Sequence, residues 1–211
     1  LATVPAQAAP CDGPREAVVA RPAAIKAFVL STGKSVLTFS GYSGAEYEDP
    51  ATMRAAVGEV LRRHDPQRTL INIGATAVGI GAVYELAKAQ GFTTMGIVST
   101  LARDEQVPLS PCVDQVFYVP DTTWGGHMPG SNLLSPTSQA MVDSGTEFVA
   151  VGGGDVTRDE MLAARRAGKP VQFVPADMNH AIARRKAESK GLPAPTDFRG
   201  SAHAAWVRGG D

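Results

Sequence analysis

Short apolar runs recur along the chain and alternate with longer stretches of helical character. They predict strands at Ser35–Ser40, Thr69–Ile73, Thr93–Val98, Val116–Val119, Phe148–Val151 and Val171–Val174. Each run is bounded by turn residues and is short for a buried helix. Helices are predicted over 49–64, 78–90, 135–144, 157–167 and 179–190, and residues 14–31 are Ala-rich and helical in character, interrupted at Pro22. Asp49-Pro50 supplies a cap and a first-turn proline, while Gly91 and Gly168 are suited to stop helices. Strands that alternate with helices in this way imply βαβ units. The expected fold is therefore α/β: a Rossmann-like, three-layer α/β/α arrangement with a mostly parallel sheet of about six strands.

The same pattern sets the domain organisation. Residues 14–190 are expected to form one Rossmann-like domain, and 191–211 a Pro/Gly-rich C-terminal tail with one apolar anchor, Trp206. Residues 1–13 read as a flexible N-terminus or the remnant of a signal peptide, because Ala6-Gln7-Ala8 fits an A-x-A cleavage site. A remnant makes the protein periplasmic or secreted; otherwise it is cytoplasmic. Cys11 and Cys112 leave this open, since they could pair in an oxidising compartment or stand as two unpaired thiols. The loop 120–132 is long and Gly-rich for a connector, which is typical of a lid.

Composition narrows the partners. The chain has 211 residues, 44% of them hydrophobic, and a net charge of −1. Acidic and basic residues are mixed along it, without the basic stripe that nucleic-acid binding needs, so no nucleic-acid partner is expected. No run approaches the ~20 apolar residues of a membrane span. A small anionic ligand stays open, because helix N-termini and backbone amides bind phosphate without net positive charge.

The candidate chemistry lies just after the strands. There stand Gly41-Tyr42-Ser43-Gly44, Gly74-Ala75-Thr76 with Gly79 beyond, Thr123-Trp124, and Gly152-Gly153-Gly154 followed by Thr157 and Glu160. In an open parallel sheet these loops share one edge, where ligands bind. Two phosphate signatures are absent: Gly33-Lys34-Ser35 lacks the earlier glycine of a P-loop, and Gly74 is followed by Thr76 where a G-x-G motif needs glycine. His64, His127, His180 and His203 are scattered, so no metal is expected. His127 lies in the long loop beside Trp124 and is either solvated or part of the site. Glu160 has two readings. It is a carboxylate facing the crevice, suited to cleaving a glycosidic bond, or it completes a capping box with Thr157.

The late segment resembles the SLOG superfamily, Rossmann-like domains that include the LOG phosphoribohydrolases. LOG enzymes carry P-G-G-x-G-T-x-x-E, and here Gly153, Gly154, Thr157 and Glu160 match its glycine pair, threonine and glutamate. The resemblance spans roughly 35–180. It implies that these residues hold the phosphate and ribose of a nucleotide, with Glu160 catalytic and no cofactor required. Two positions depart: Gly152 replaces the proline and Val156 the later glycine. The arginine that LOG enzymes carry on the preceding helix is also missing from 135–147. The expected function is binding of a nucleotide or another phosphorylated, nucleotide-derived molecule, with hydrolysis of its N-glycosidic bond. The alternatives are a non-catalytic sensor and a carrier of a phosphorylated cofactor. A sensor of this kind signals through oligomerisation, and a homo-oligomer is expected.

Overall fold

The computed structural model describes residues 11–14 and 16–209. The Ala6-Gln7-Ala8 motif lies outside the described residues. Seven strands form one sheet: β1 (Glu16–Val19), β2 (Ser35–Gly41), β3 (Thr69–Ile73), β4 (Thr93–Ser99), β5 (Gln115–Val119), β6 (Glu147–Val151) and β7 (Val171–Val174). Their order is β1-β5-β4-β3-β2-β6-β7. Every pairing is parallel. The helices are α1 (Pro22–Thr32), α2 (Pro50–Arg62), α3 (Ala82–Ala89), α4 (Thr100–Asp104), α5 (Pro136–Ser144), α6 (Asp155–Arg166), α7 (His180–Ser189) and α8 (Gly200–Val207).

Alternating side chains divide the core into two layers. Leu37, Phe39, Ile71 and Ile73 pack on one face with Val57, Leu61, Val83 and Tyr84 of α2 and α3. Val36 and Leu70 point to the other face, where Ile25 and Val29 of α1 meet Ala140 and Met141 of α5. The two-residue period of a strand produces this division, and the central strands are apolar because both faces are covered. The Rossmann-like α/β expectation of a mostly parallel sheet is met, and the sheet is parallel throughout.

Three local expectations are corrected, and one helix, α4, is added. First, part of the segment 14–31 is the edge strand β1, which brings the strands to seven. Its four residues are all exposed, so no periodicity betrays it. Backbone pairing to β5 defines it, through Glu16 N–H to Asp114 O and Ala20 N–H to Tyr118 O. Second, the helix expected at 78 opens as a 3-10 turn over Gly79–Gly81. The added helix, α4, follows β4 directly, capped by the Ser99 hydroxyl, which accepts from Leu101 N–H. Third, 191–211 is not a bare tail. It contains α8, which packs on α6, and Ala205 joins the cluster of Phe148, Met161 and Ala164.

Cys11 and Cys112 form a disulfide. It ties the chain before β1 to the turn that enters β5. No helix among the described residues is long and apolar enough to cross a membrane.

Candidate functional site

The chain winds outward from β2 through β3, β4 and β5, then returns to place β6 on the other side of β2. The strand order therefore reverses between β2 and β6. Loops leaving two such strands part from each other and open a crevice at the carboxyl edge. A cleft of about 570 Å³ lies there. Its lining runs from Trp124, after β5, past Ala102 and Val107–Leu109 to Gly74 and Thr76 after β3. It continues through Gly41–Ala45 after β2 to Gly154–Thr157 after β6.

Of the predicted residues, Gly41, Tyr42, Ser43, Gly44, Gly74, Thr76, Trp124, Gly154, Thr157 and Glu160 line this cleft. Ala75, Gly79, Thr123 and Gly153 stand behind it. Ala75 is fully buried, and its N–H donates to the Tyr84 hydroxyl. Gly79 packs beneath the carbonyls of Tyr42 and Ser43. The Thr123 hydroxyl donates to Asp121 Oδ1 at 2.9 Å. Gly153 has φ +114°, and a Cβ there would collide with Thr157. Glycine at this position lets the strand turn sharply into α6 with Thr157 packed against it.

Glu160 lies on the first turns of α6 and is 3% exposed. Its Oε1 accepts from Ser138 Oγ at 2.7 Å. Its Oε2 is buried without a hydrogen-bond partner. Burial pushes the carboxyl up to about 7; the Ser138 and Ser40 hydroxyls pull it partly back, and the like charge of Asp159 adds to the rise. This geometry corrects the capping-box reading. The helix begins at Asp155 after Gly154, with no side-chain cap. The Thr157 hydroxyl pairs with Ser40 Oγ at 2.9 Å.

The 120–134 loop is fastened to the helices behind it. Asp121 accepts from Thr123 N–H at 2.8 Å and from Thr137 N–H at 2.9 Å. Burial pushes the Asp121 carboxyl up, but its bonds from Thr137 and Thr123 outweigh this and hold it below the usual range. Gly126 N–H donates to Ser138 Oγ at 2.7 Å, and His127 N–H to Asp159 Oδ2 at 3.0 Å. His127 Nδ1 lies 3.6 Å from the same oxygen, so this histidine faces Asp159 on α6. Trp124 is left half-exposed at the rim.

Ser40, Ser138 and Lys186 are site residues that motif reading missed. Ser138 reaches Glu160 across 22 residues, and no spacing rule links them. Its one local signal is the cluster of hydroxyls at Ser135, Thr137 and Ser138 where α5 begins. Among the described residues that line the cleft, Lys186 is the one cation. Among the described residues, no group of three or more His, Cys, Asp or Glu is placed to hold a metal.

No protein-family model matches the chain. No curated protein matches it either. Solved structures do. TM1055 is 20% identical with a TM-score of 0.48, over 65% of this chain and 72% of that one. The Moco carrier protein from Chlamydomonas reinhardtii is 19% identical with a TM-score of 0.48, over 83% and 96%. DNA processing protein A from Streptococcus pneumoniae is 10% identical with a TM-score of 0.47, over 83% and 62%. Like the resemblance to SLOG domains, these are likenesses of fold.

Proposed function

We propose that the cleft binds a nucleotide or nucleotide-derived molecule and that Glu160 serves to cleave its N-glycosidic bond. One observation carries this reading. A carboxyl group sits in the cleft at the strand-order reversal, one oxygen held by Ser138 and the other unpaired, with a proton affinity matched to neutral pH. A group poised there takes a proton and gives it back at comparable cost. In hydrolysis, the bond between the sugar carbon and the base nitrogen breaks, and its electron pair leaves with the base. Water adds to the sugar carbon and loses a proton to Glu160, which hands a proton to the departing base nitrogen and so ends as it began. The uncapped start of α6 and the hydroxyls of Ser43 and Thr76 line the same cleft and are suited to phosphate or ribose oxygens.

A second reading is binding without turnover, and the absence of arginine from the cleft lining among the described residues favours it. The Cys11–Cys112 disulfide supports the exported alternative for the compartment.

Thermal unfolding with nucleoside monophosphates and NAD tests the binding. Ligand at about 100 times its dissociation constant adds about 2.7 kcal/mol, a rise of roughly 5–10 °C for a chain of this size. Chromatography of released base then tests the chemistry. Glu160→Gln is expected to slow release by about 100-fold or more. Binding with no release by the wild type establishes a sensor or carrier, and no thermal shift with any nucleotide overturns both readings.

A further inference from the structure

Two hydrogen bonds meet at the Ser138 hydroxyl. Gly126 N–H donates to Ser138 Oγ at 2.7 Å, and Oγ donates to Glu160 Oε1 at 2.7 Å. A hydroxyl has one proton to give. The Gly126 N–H occupies one of its two acceptor positions, and the geometry directs that proton to Oε1. Gly126 is itself held: its carbonyl accepts from Ser135 N–H at 2.7 Å, and the next N–H donates to Asp159 Oδ2 at 3.0 Å.

We infer that Ser138 is a positioning residue that couples the 120–134 loop to Glu160, fixing Oε1 as an acceptor and leaving Oε2 to exchange the proton. The physical step is the orientation of one hydroxyl. While the Gly126 N–H is in place, it fills one of the two acceptor positions of Ser138 Oγ and biases the hydroxyl towards donating to the carboxyl, which favours the ionised form. When the loop moves away, the hydroxyl is able to turn and accept from a protonated carboxyl, and that preference is lost. Loop position thereby biases the charge of the cleft floor.

The other groups around Glu160 do not supply this coupling. Asp159 on the same helix opposes ionisation, and its Oδ1 is neutralised by Arg158 at 2.9 Å. His127 faces Asp159, while Lys186 of α7 and Asp155 line the cleft. Asp121 sits behind Thr137 on α5. From β2 the neighbour is the Ser40 hydroxyl, which also favours the ionised form but pairs with Thr157 of α6 rather than with the loop.

The test uses the ligand-free, full chain labelled with carbon-13 and nitrogen-15. The Glu160 side-chain carbonyl and the Gly126 amide are followed from pH 4 to about 9. In the wild type, the Gly126 amide is expected to shift with the same midpoint as Glu160, and to be flat over that transition in Glu160→Gln. Ser138→Ala is expected to raise the Glu160 midpoint by about one to two pH units, the worth of a hydrogen bond to a charged group. Ser138→Thr keeps the hydroxyl and is expected to hold the midpoint near that of the wild type. A Gly126 amide that ignores the Glu160 transition overturns the inference, as does an unchanged midpoint in folded Ser138→Ala. If that variant does not fold, the wild-type measurement decides. The inference rests on Glu160 as the proton-exchanging group, yet its test needs no ligand. A chain that binds no nucleotide but shows the coupled titration loses the proposed function and keeps this coupling.

Discussion

At the scale of single residues, Glu160 is held by opposing terms. Burial favours its neutral form and the Ser138 bond favours its charged form. The sign for stability follows from linkage. Its folded-state value is raised, from 4.5 to about 7, so its full contribution is present below about pH 4.5 and is lost as pH rises through 7. A wild type compared with Glu160→Gln in urea melts at pH 5 and pH 8 is expected to lose about 2–3 kcal/mol more between them. Parallel stability in the two proteins would show that the carboxyl is not buried as described. Glu160, Thr157 and Gly153 were legible because they lie within one motif on one turn of chain. Ser40 and Ser138 were not, since each is an ordinary hydroxyl until the sheet and α5 carry it to the carboxyl.

Among the elements, α7 is the one with least to hold it. None of its residues is buried, yet Lys186 lines the cleft. Its local hold includes the Asn179 cap, which accepts from Ile182 N–H at 2.9 Å. Asn179→Ala is expected to cost about 1 kcal/mol, or roughly a fivefold faster amide exchange. The increase is expected in α7 alone, with the central strands unchanged; equal acceleration throughout would show that α7 unfolds only with the whole molecule. The amphipathic and fully buried elements were readable from their periodicity. β1 and α8 were not, for different reasons. β1 exposes all four residues and exists through its hydrogen bonds to β5. In α8, small residues pack on α6, and small side chains leave a weak apolar signature.

On the scale of the whole molecule, the disulfide joins residues separated by 101 positions. A cross-link closing a loop of that length removes about 4–5 kcal/mol of chain entropy from the unfolded state, and native disulfides of this kind are typically worth 2–5 kcal/mol. Cys11→Ser with Cys112→Ser is expected to lower unfolding free energy by that range in urea melts. β1 is expected to lose amide protection first, because its remaining tie to the sheet is one ladder on one edge. A stability change under about 1 kcal/mol, within ordinary mutational scatter, would show that the bridge restrains little.

Six of the seven strands, β2 to β7, and their parallel, helix-covered arrangement could be read from the sequence. Buried parallel strands need continuous apolar runs, and turns need glycine and capping residues, so both leave local signatures. Which loops end on the carboxyl edge was readable too, because every βα unit leaves its strand at the same side. The strand order belongs to the three-dimensional packing, and with it the reversal between β2 and β6 that opens the cleft. So do the meeting of the two cysteines, the pairing of β1 to the sheet edge, the packing of α8 on α6, and the place of Ser138 between Gly126 and Glu160. These are contacts between residues far apart in the chain, and no local pattern encodes them.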